Sequence, residues 1–366
     1  MFGRSWRIAT IGGIPVNVDS SWIWIAALIT YSLWLQFDSL DSGHRRGWAI
    51  GFAVFAAALF FGSVFLHELA HAVTARANGI KVFGITLVVF GGFTSAQSDE
   101  KGPGPLFLIS AVGPGTSLAL GGVFWALSQG IGDSGDLLPG VFEWIGVLNL
   151  IMAGLNVLPG LPLDGGHMVE AVAWRVTGDH QRATRIAARA GMVVAGFLIA
   201  AALFEWSRNQ DPNMAFWLAI IALFVFQGAR ASERQVGVRE RLTSATVADA
   251  MEPPPPAVPS DMTLSEALDR YLRGHEHEGF PVVEDGRVIG MLSFNSAREV
   301  GVNDPLRPVR DALVPLSQVL TVEAEEPLDQ VAAHLEAGRA ALVLRDGELV
   351  GVISGSGLAR WAASHR

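Results

Sequence analysis

The sequence predicts a polytopic α-helical membrane protein of about six transmembrane helices with a small membrane-associated β-sheet, followed by a soluble α/β module of two tandem repeats. Three observations predict it. Long stretches of the first two-thirds carry no charge, one apolar stretch is patterned as strand rather than helix, and the last third repeats itself.

The chain has 366 residues, of which 50% are hydrophobic. Its mean hydropathy is +0.37, too apolar for an ordinary soluble domain. Uncharged runs lie between Asp19 and Asp38, between Arg46 and His67, from Gly102 to Gly132, from Trp144 to Leu163 and from Pro212 to Ala229. A sixth, Ala190 to Phe204, is shorter. Each approaches the roughly 20 residues that a helix needs to cross the hydrocarbon core. Trp22, Trp24, Trp144 and Trp206 stand near the ends of these runs, where tryptophan suits the bilayer interface. Val82 to Gln97 is different: it is rich in β-branched residues and broken by Gly91-Gly92, which reads as one or two strands. Such backbone sits at membrane depth only where protein or a water-filled cavity covers it.

Loop charge sets the expected orientation. With a cytoplasmic N-terminus and six alternating spans, the inside segments hold Arg4, Arg7, Arg76, Lys81, Lys101, Arg175 and the arginines from Arg182 to Arg241 other than Arg208. The outside segments hold only Arg45, Arg46 and Arg208. The expected location is therefore the cell membrane, with both termini and the C-terminal module cytoplasmic. Met1 to Arg7 is not followed by an apolar core and a small-residue cleavage site, so no cleaved signal peptide is expected.

Composition excludes several chemistries. There are no cysteines, which removes disulfides, cysteine-ligated clusters and thiol catalysis. The net charge of −9 comes mainly from the C-terminal third, and no basic stripe with interleaved aromatics marks a nucleic-acid surface.

From about Arg230 charges become frequent, and Pro253 to Pro256 form a stiff extended element. Val247-Ala-Asp-Ala-Met then matches Val309-Arg-Asp-Ala-Leu, and Leu264-Ser-Glu-Ala-Leu matches Leu328-Asp-Gln-Val-Ala. Glu284-Asp-Gly-Arg-Val-Ile-Gly-Met-Leu-Ser matches Arg345-Asp-Gly-Glu-Leu-Val-Gly-Val-Ile-Ser. The near-constant offset marks a tandem repeat. Each unit reads as strand, helix, a hairpin turning at Asp-Gly, then helix. The expected organisation is a membrane domain over 1–229, a linker over 230–245 and the repeat pair over 246–366, dividing at about 304. These repeats resemble a pair of CBS domains, whose members often bind adenine nucleotides between the repeats and regulate an attached enzyme or transporter. The usual motif ends in an Asp that contacts the ribose. Ser296 and Gly357 stand at that position here, so nucleotide binding and a ligand-free dimerisation module both remain open.

His67-Glu-Leu-Ala-His71 is an H-E-x-x-H motif. On a helix His67 and His71 are one turn apart on one face, so both imidazoles reach one zinc ion, and Glu68 lies beside it as general base. The motif ends a transmembrane run, where ionisable groups are costly and usually functional. A catalytic zinc takes three protein ligands and keeps one position open. Asp164, in Asn156-Val-Leu-Pro159-Gly-Leu-Pro162-Leu-Asp164-Gly-Gly, is the best third ligand: the second and fourth spans both run inward and bring the two motifs to similar depth. Asp164-Gly165 is also a common turn signal, and local sequence alone leaves both readings open.

H-E-x-x-H in one membrane helix, followed by N-x-x-P-x-x-P-L-D-G in a later one, resembles the site-2 protease family of intramembrane zinc metalloproteases. Gly13-Ile-Pro-Val-Asn-Val, Ser110-Ala-Val-Gly-Pro-Gly and the Gly91-Gly92 strand region are similar too. Six spans followed by a CBS pair resemble the bacterial branch that includes the sporulation sigma-factor-processing protease. The resemblance implies zinc on His67, His71 and Asp164, Glu68 as catalytic base and Asn156 as a substrate or oxyanion contact. It departs at Ser117, where the family usually carries Asn, and at His167, where many relatives carry Arg.

The expected reaction is hydrolysis of a peptide bond within or beside a transmembrane segment of a membrane-associated protein. Phe90, Gly91, Gly92, Phe93 and Thr94 form the candidate strand that clamps the extended substrate. The lipid bilayer and a second copy, through the CBS pair, are the other expected partners; nucleic acid is not. A CBS-regulated transporter and a proteolytically inactive scaffold are the rival readings. The first predicts inverted repeats and polar groups along several spans, which the sequence lacks. His44, His180, His334 and His365 read as solvated, and His275 and His277 as an exposed pair.

Overall fold

The computed structural model describes residues 5–40, 46–88, 91–96, 101–131, 137–209, 212–273, 279–302, 304–335 and 340–364. They divide into two compact units, 1–234 and 235–366.

The first unit opens with a hairpin of β1 (Ser5–Ile11) and β2 (Ile14–Asp19), paired from Ser5↔Asp19 to Ile11↔Ile14. Gly12 and Gly13 form its turn with φ of +56° and +80°, a conformation that two-residue hairpin turns require. β3 (Val82–Val88) runs parallel to β2, and β4 (Gly91–Ala96) returns antiparallel to β3, giving the order β1-β2-β3-β4. Within the Val82–Gln97 stretch, the described residues 82–88 and 91–96 form the expected strands. The first hairpin was not expected, although Ile14, Val16 and Val18 alternate with polar or smaller residues and follow a Gly-Gly pair. Ile14, Val18, Ile85 and Leu87 pack with Val64 and Ala72, so one face of the sheet covers the helix that carries the H-E-x-x-H motif.

Seven helices follow: α1 (Ser20–Leu40), α2 (Arg46–Ala77), α3 (Pro103–Ile131), α4 (Leu137–Val157), α5 (Asp164–Thr177), α6 (His180–Phe204) and α7 (Pro212–Ser244). Among the described residues, five stretches are long and apolar enough to cross a membrane: Ala49–Ala77, Pro103–Ile131, Leu138–Val157, His180–Arg208 and Pro212–Ser244. α1, the first of the six expected runs, is less apolar than these five, because Thr30, Tyr31, Ser32, Gln36 and Asp38 dilute its apolar residues. The Ala190–Phe204 run, the shortest in sequence, lies in a much longer helix. Asp179 caps that helix by accepting the Arg182 N–H, and Arg182, Arg185 and Arg189 ride on its early turns.

In lipid, helices associate through close packing of small residues and interhelical hydrogen bonds rather than hydrophobic burial. α3 and α4 meet this way: a Cβ at Gly121 would come within 2.8 Å of Leu150. α4 is tied to α2 by Asn149, fully buried, which donates to Ser63 Oγ at 3.1 Å and to Ile145 O at 2.9 Å. Such a bond contributes roughly 0.6–2 kcal/mol in a membrane.

Residues 230–244, within the expected linker 230–245, are helical and belong to α7. The first repeat has β5 (Val258–Pro259), α9 (Leu264–Ala267), the hairpin β6 (Gly279–Glu284) and β7 (Arg287–Ser293), and α10 (Phe294–Gly301). The second has β9 (Thr321–Glu323), α11 (Leu328–Leu335), the hairpin β10 (Ala340–Arg345) and β11 (Glu348–Ser354), and α12 (Gly355–Ser364). Both hairpins turn at Asp-Gly with positive φ, at Asp285-Gly286 (49° and 77°) and Asp346-Gly347 (53° and 83°).

The leading segment of each repeat serves the other repeat's core. α8 (Val247–Ala250) packs with Val322, Leu328 and Ile353 and donates Val247 N–H to Glu326 O. Val309 and Ala312 pack with Leu264 and Leu292, Val309 N–H bonds Met262 O, and β8 (Val314–Pro315) joins β7. An offset read from sequence fixes the repeat period but cannot show this exchange.

Candidate metal centre

The histidines occupy one face of α2, and α3 faces them with Ile109, Gly113 and Ser117, four residues apart and therefore in one row. His71 Nδ1 bonds Ile109 O at 2.7 Å and His67 Nδ1 bonds Ser117 Oγ at 2.9 Å. The later histidine meets the earlier α3 residue, so the helices run antiparallel here. Gly113 makes the approach possible: a Cβ there would lie 2.2 Å from His71 Nε2 and 2.8 Å from His67 Nε2.

A carbonyl only accepts, so the His71 proton sits on Nδ1 and the Nε2 lone pair points inward. It meets His67 Nε2 at 3.1 Å and Asp164 Oδ2 at 3.4 Å, while His67 Nε2 lies 3.2 Å from the same oxygen. All three donor atoms lie within 4.8 Å of one another. A tetrahedral ion with bonds of about 2.0–2.1 Å holds its ligands roughly 3.3–3.4 Å apart, close to the edges of this triangle. Asp164 Oδ2 is buried with no hydrogen-bond partner. Converging lone pairs around an orphaned buried carboxylate oxygen repel one another unless a cation sits among them. Two imidazoles and one carboxylate, with the outer imidazole nitrogens both engaged, are a donor set suited to zinc.

Asp164 is the first residue of α5, where a negative charge is favoured by the helix N-terminus. Glu68 is 9% exposed. Thr94 of β4 donates from Oγ1 at 3.3 Å to both the Glu68 backbone oxygen and Oε2. A Cβ at Gly92 would lie 2.6 Å from Glu68 Cγ. Gly91, Gly92, Phe93 and Thr94 all lie in β4, which closes the sheet at its outer edge; Phe90 falls outside the described residues. Asn156 is half-buried at the C-terminal end of α4 and takes no part in the donor triangle.

Ser117, noted in sequence only as a departure, is the buried partner of His67. Its signal was the Gly113-x-x-x-Ser117 spacing on a helix facing the motif. We expect Ser117→Ala to weaken zinc binding by about 10–100-fold, the usual loss when a ligand's outer hydrogen bond is removed. Chelator competition checks it, and unchanged affinity would remove Ser117 from the centre.

A second polar cluster joins α5 to α6. Buried Glu170 bonds His167 Nδ1 at 2.9 Å, His180 Nε2 at 3.1 Å and the Thr184 hydroxyl. Burial alone would raise its carboxyl; these hydrogen bonds outweigh burial and hold it at about 2. This corrects His180, read as solvated: it pairs with Glu170 and stacks on Trp174 at 4.3 Å. His334 is exposed, as expected, whereas His44, His275, His277 and His365 lie outside the described residues. In the repeats, Ser296 bonds Ser293 at 3.0 Å. At Gly357 a Cβ would lie 3.1 Å from Glu252 Oε1, which Arg360 contacts at 2.6 Å.

Residues 55–133 and 130–198 match Peptidase family M50, and residues 247–301 and 309–364 match the CBS domain. The chain is 35% identical over 362 residues to Rip3 of Mycobacterium tuberculosis, whose description provisionally assigns a zinc metalloprotease; the match covers 96% of this chain and 91% of that protein. It is 28% identical over 354 residues to the zinc metalloprotease MJ0392 of Methanocaldococcus jannaschii, covering 97% and 95% respectively. Among solved structures, a hemolysin-like CBS protein of Oenococcus oeni PSU matches at 18% identity and a TM-score of 0.30, over 34% of this chain and 96% of that one. The chain belongs to peptidase family M50: it is a membrane zinc metalloprotease with a tandem CBS pair.

Proposed function

We propose that the protein hydrolyses a peptide bond within or beside a transmembrane segment of a membrane-associated protein, such as a membrane-held transcription-factor precursor or anti-sigma factor. The observation that carries this is the convergence of His67, His71 and Asp164 beside Glu68, on a membrane helix covered by an edge strand. His67, His71 and Asp164 would hold the zinc ion, which would supply Lewis-acid polarisation of the scissile carbonyl and acidify water. Glu68 takes the proton from the attacking water and hands it to the leaving amine. Thr94 holds the Glu68 carboxylate while it does so. The free edge of β4 pairs with an extended substrate segment, because a helical segment keeps its carbonyls in its own hydrogen bonds. The test compares membrane proteomes of cells carrying the wild type and Glu68→Gln. At least one membrane protein should accumulate uncut in the variant; identical cleavage patterns would overturn the reading.

We place both termini and the CBS pair in the cytoplasm. α1 has 21 residues, about 32 Å of helix, enough to cross a core of about 30 Å. With it the crossings are even in number. The loop arginines and lysines favour this orientation.

The CBS pair regulates the protease and supports self-association in this reading. Ser296 and Gly357 leave both repeats without their own ribose-contacting carboxylate, and the carboxylate beside Gly357 comes from Glu252, already paired with Arg360. We therefore expect regulation through protein contact, and titration of the full-length protein with ATP, ADP and AMP should give no heat. Saturable heat would restore the nucleotide reading.

A further inference from the structure

Asp164 opens α5, so its position is inherited from the loop Leu158–Leu163 before it. Within the loop, Gly160 N–H bonds Leu158 O at 2.8 Å and Leu163 N–H bonds Gly160 O at 3.1 Å. α5 adds Gly166 N–H to Leu163 O at 2.9 Å and a close approach at Gly166, where a Cβ would lie 2.2 Å from Leu161 N; α6 and α7 support the loop from elsewhere in the fold. Leu161 is buried against Ala187 and Ala188 and donates its N–H to Ala187 O at 3.2 Å. Two glycines make room for it. A Cβ at Gly191 of α6 would lie 2.3 Å from Leu161 O, and one at Gly228 of α7 would lie 2.4 Å from Pro162 Cγ. The loop answers in kind, since a Cβ at Gly160 would lie 2.2 Å from Gly191 Cα. Elsewhere on α6 such closeness is not general: a Cβ at Gly196 would meet no neighbouring segment within 4 Å.

We propose that Gly191 and Gly228 are positioning residues for the third metal ligand, forming a notch that seats Leu161–Pro162 and thereby sets where Asp164 points. A methyl group at Gly191 must push the loop outward by about 1 Å to reach an ordinary contact distance, and a metal site tolerates only about 0.5 Å. The loss would not come from a weaker helix, because alanine favours a helix interior over glycine by about 1 kcal/mol.

The inference rests on Asp164 being a ligand, so the experiment is a double-mutant cycle on full-length protein. Zinc affinity is measured by chelator competition for the wild type, Gly191→Ala, Asp164→Ala and the double variant, with Gly196→Ala as control. Gly191→Ala should bind zinc on the order of 10-fold or more weakly, with no further loss in the Asp164→Ala background and no loss at Gly196→Ala. If Asp164→Ala binds zinc like the wild type, the ligand reading falls and this inference with it. If Asp164→Ala loses zinc but Gly191→Ala does not, or if the two losses add in the double variant, the positioning role alone falls. Should Gly191→Ala fail to fold, Gly228→Ala enters the same cycle; failure of both to fold would make the notch a stability element and overturn the proposal.

Discussion

Glu68→Gln abolishes cleavage and leaves zinc in place. Glutamine matches glutamate in size and keeps an oxygen for the Thr94 hydroxyl, which lies 3.3 Å from Oε2. The donors His67, His71 and Asp164 are untouched. What disappears is a group able to take and return a proton. General acid–base catalysis contributes about 10²–10⁴-fold, so turnover should drop by that order. Metal analysis of the purified variant and cleavage of a co-expressed substrate read the two halves separately. Zinc loss would mean that Glu68 holds the site together; cleavage at the wild-type rate would mean that another group is the base.

Gly113→Ala should destroy the metal centre from a helix that carries none of its ligands. The added methyl falls 2.2 Å from His71 Nε2 and 2.8 Å from His67 Nε2, so it occupies the space where the donors converge. Backing α3 away also breaks the bonds of Ile109 and Ser117 to the outer nitrogens. The loss of zinc affinity should exceed the roughly 10–100-fold of a single lost outer contact. Gly115→Ala, with nothing within 4 Å of its Cβ, is the matched control and should behave as wild type. Chelator competition on both variants decides it: unchanged affinity in Gly113→Ala would show that α3 does not press on the site.

Much of the architecture was legible because lipid imposes a strong constraint on composition. Uncharged runs gave the membrane helices, and β-branched residues broken by Gly91-Gly92 gave β3 and β4. Composition is a weaker guide at the margins of that rule. α1 lies near the hydropathy limit, and the arginines that shorten the apparent α6 run simply ride on its first turns. The β1–β2 hairpin went unread because short alternating strands are a weak signal beside long apolar helices.

The sequence by itself determined the chemistry of the motif, with His67 and His71 one turn apart and Glu68 between them, and left Asp164 open between third ligand and turn residue. These follow from local spacing on a helix and need no knowledge of neighbours. The tertiary structure alone decided which His71 lone pair points inward, through Ile109 O, which hydroxyl engages His67, that of Ser117, and why two glycines had to be bare, Gly113 against the histidines and Gly92 against Glu68. It also decided that each repeat's leading segment completes the other repeat's core. Those facts depend on distances between segments far apart in the chain, and side-chain periodicity carries no record of them.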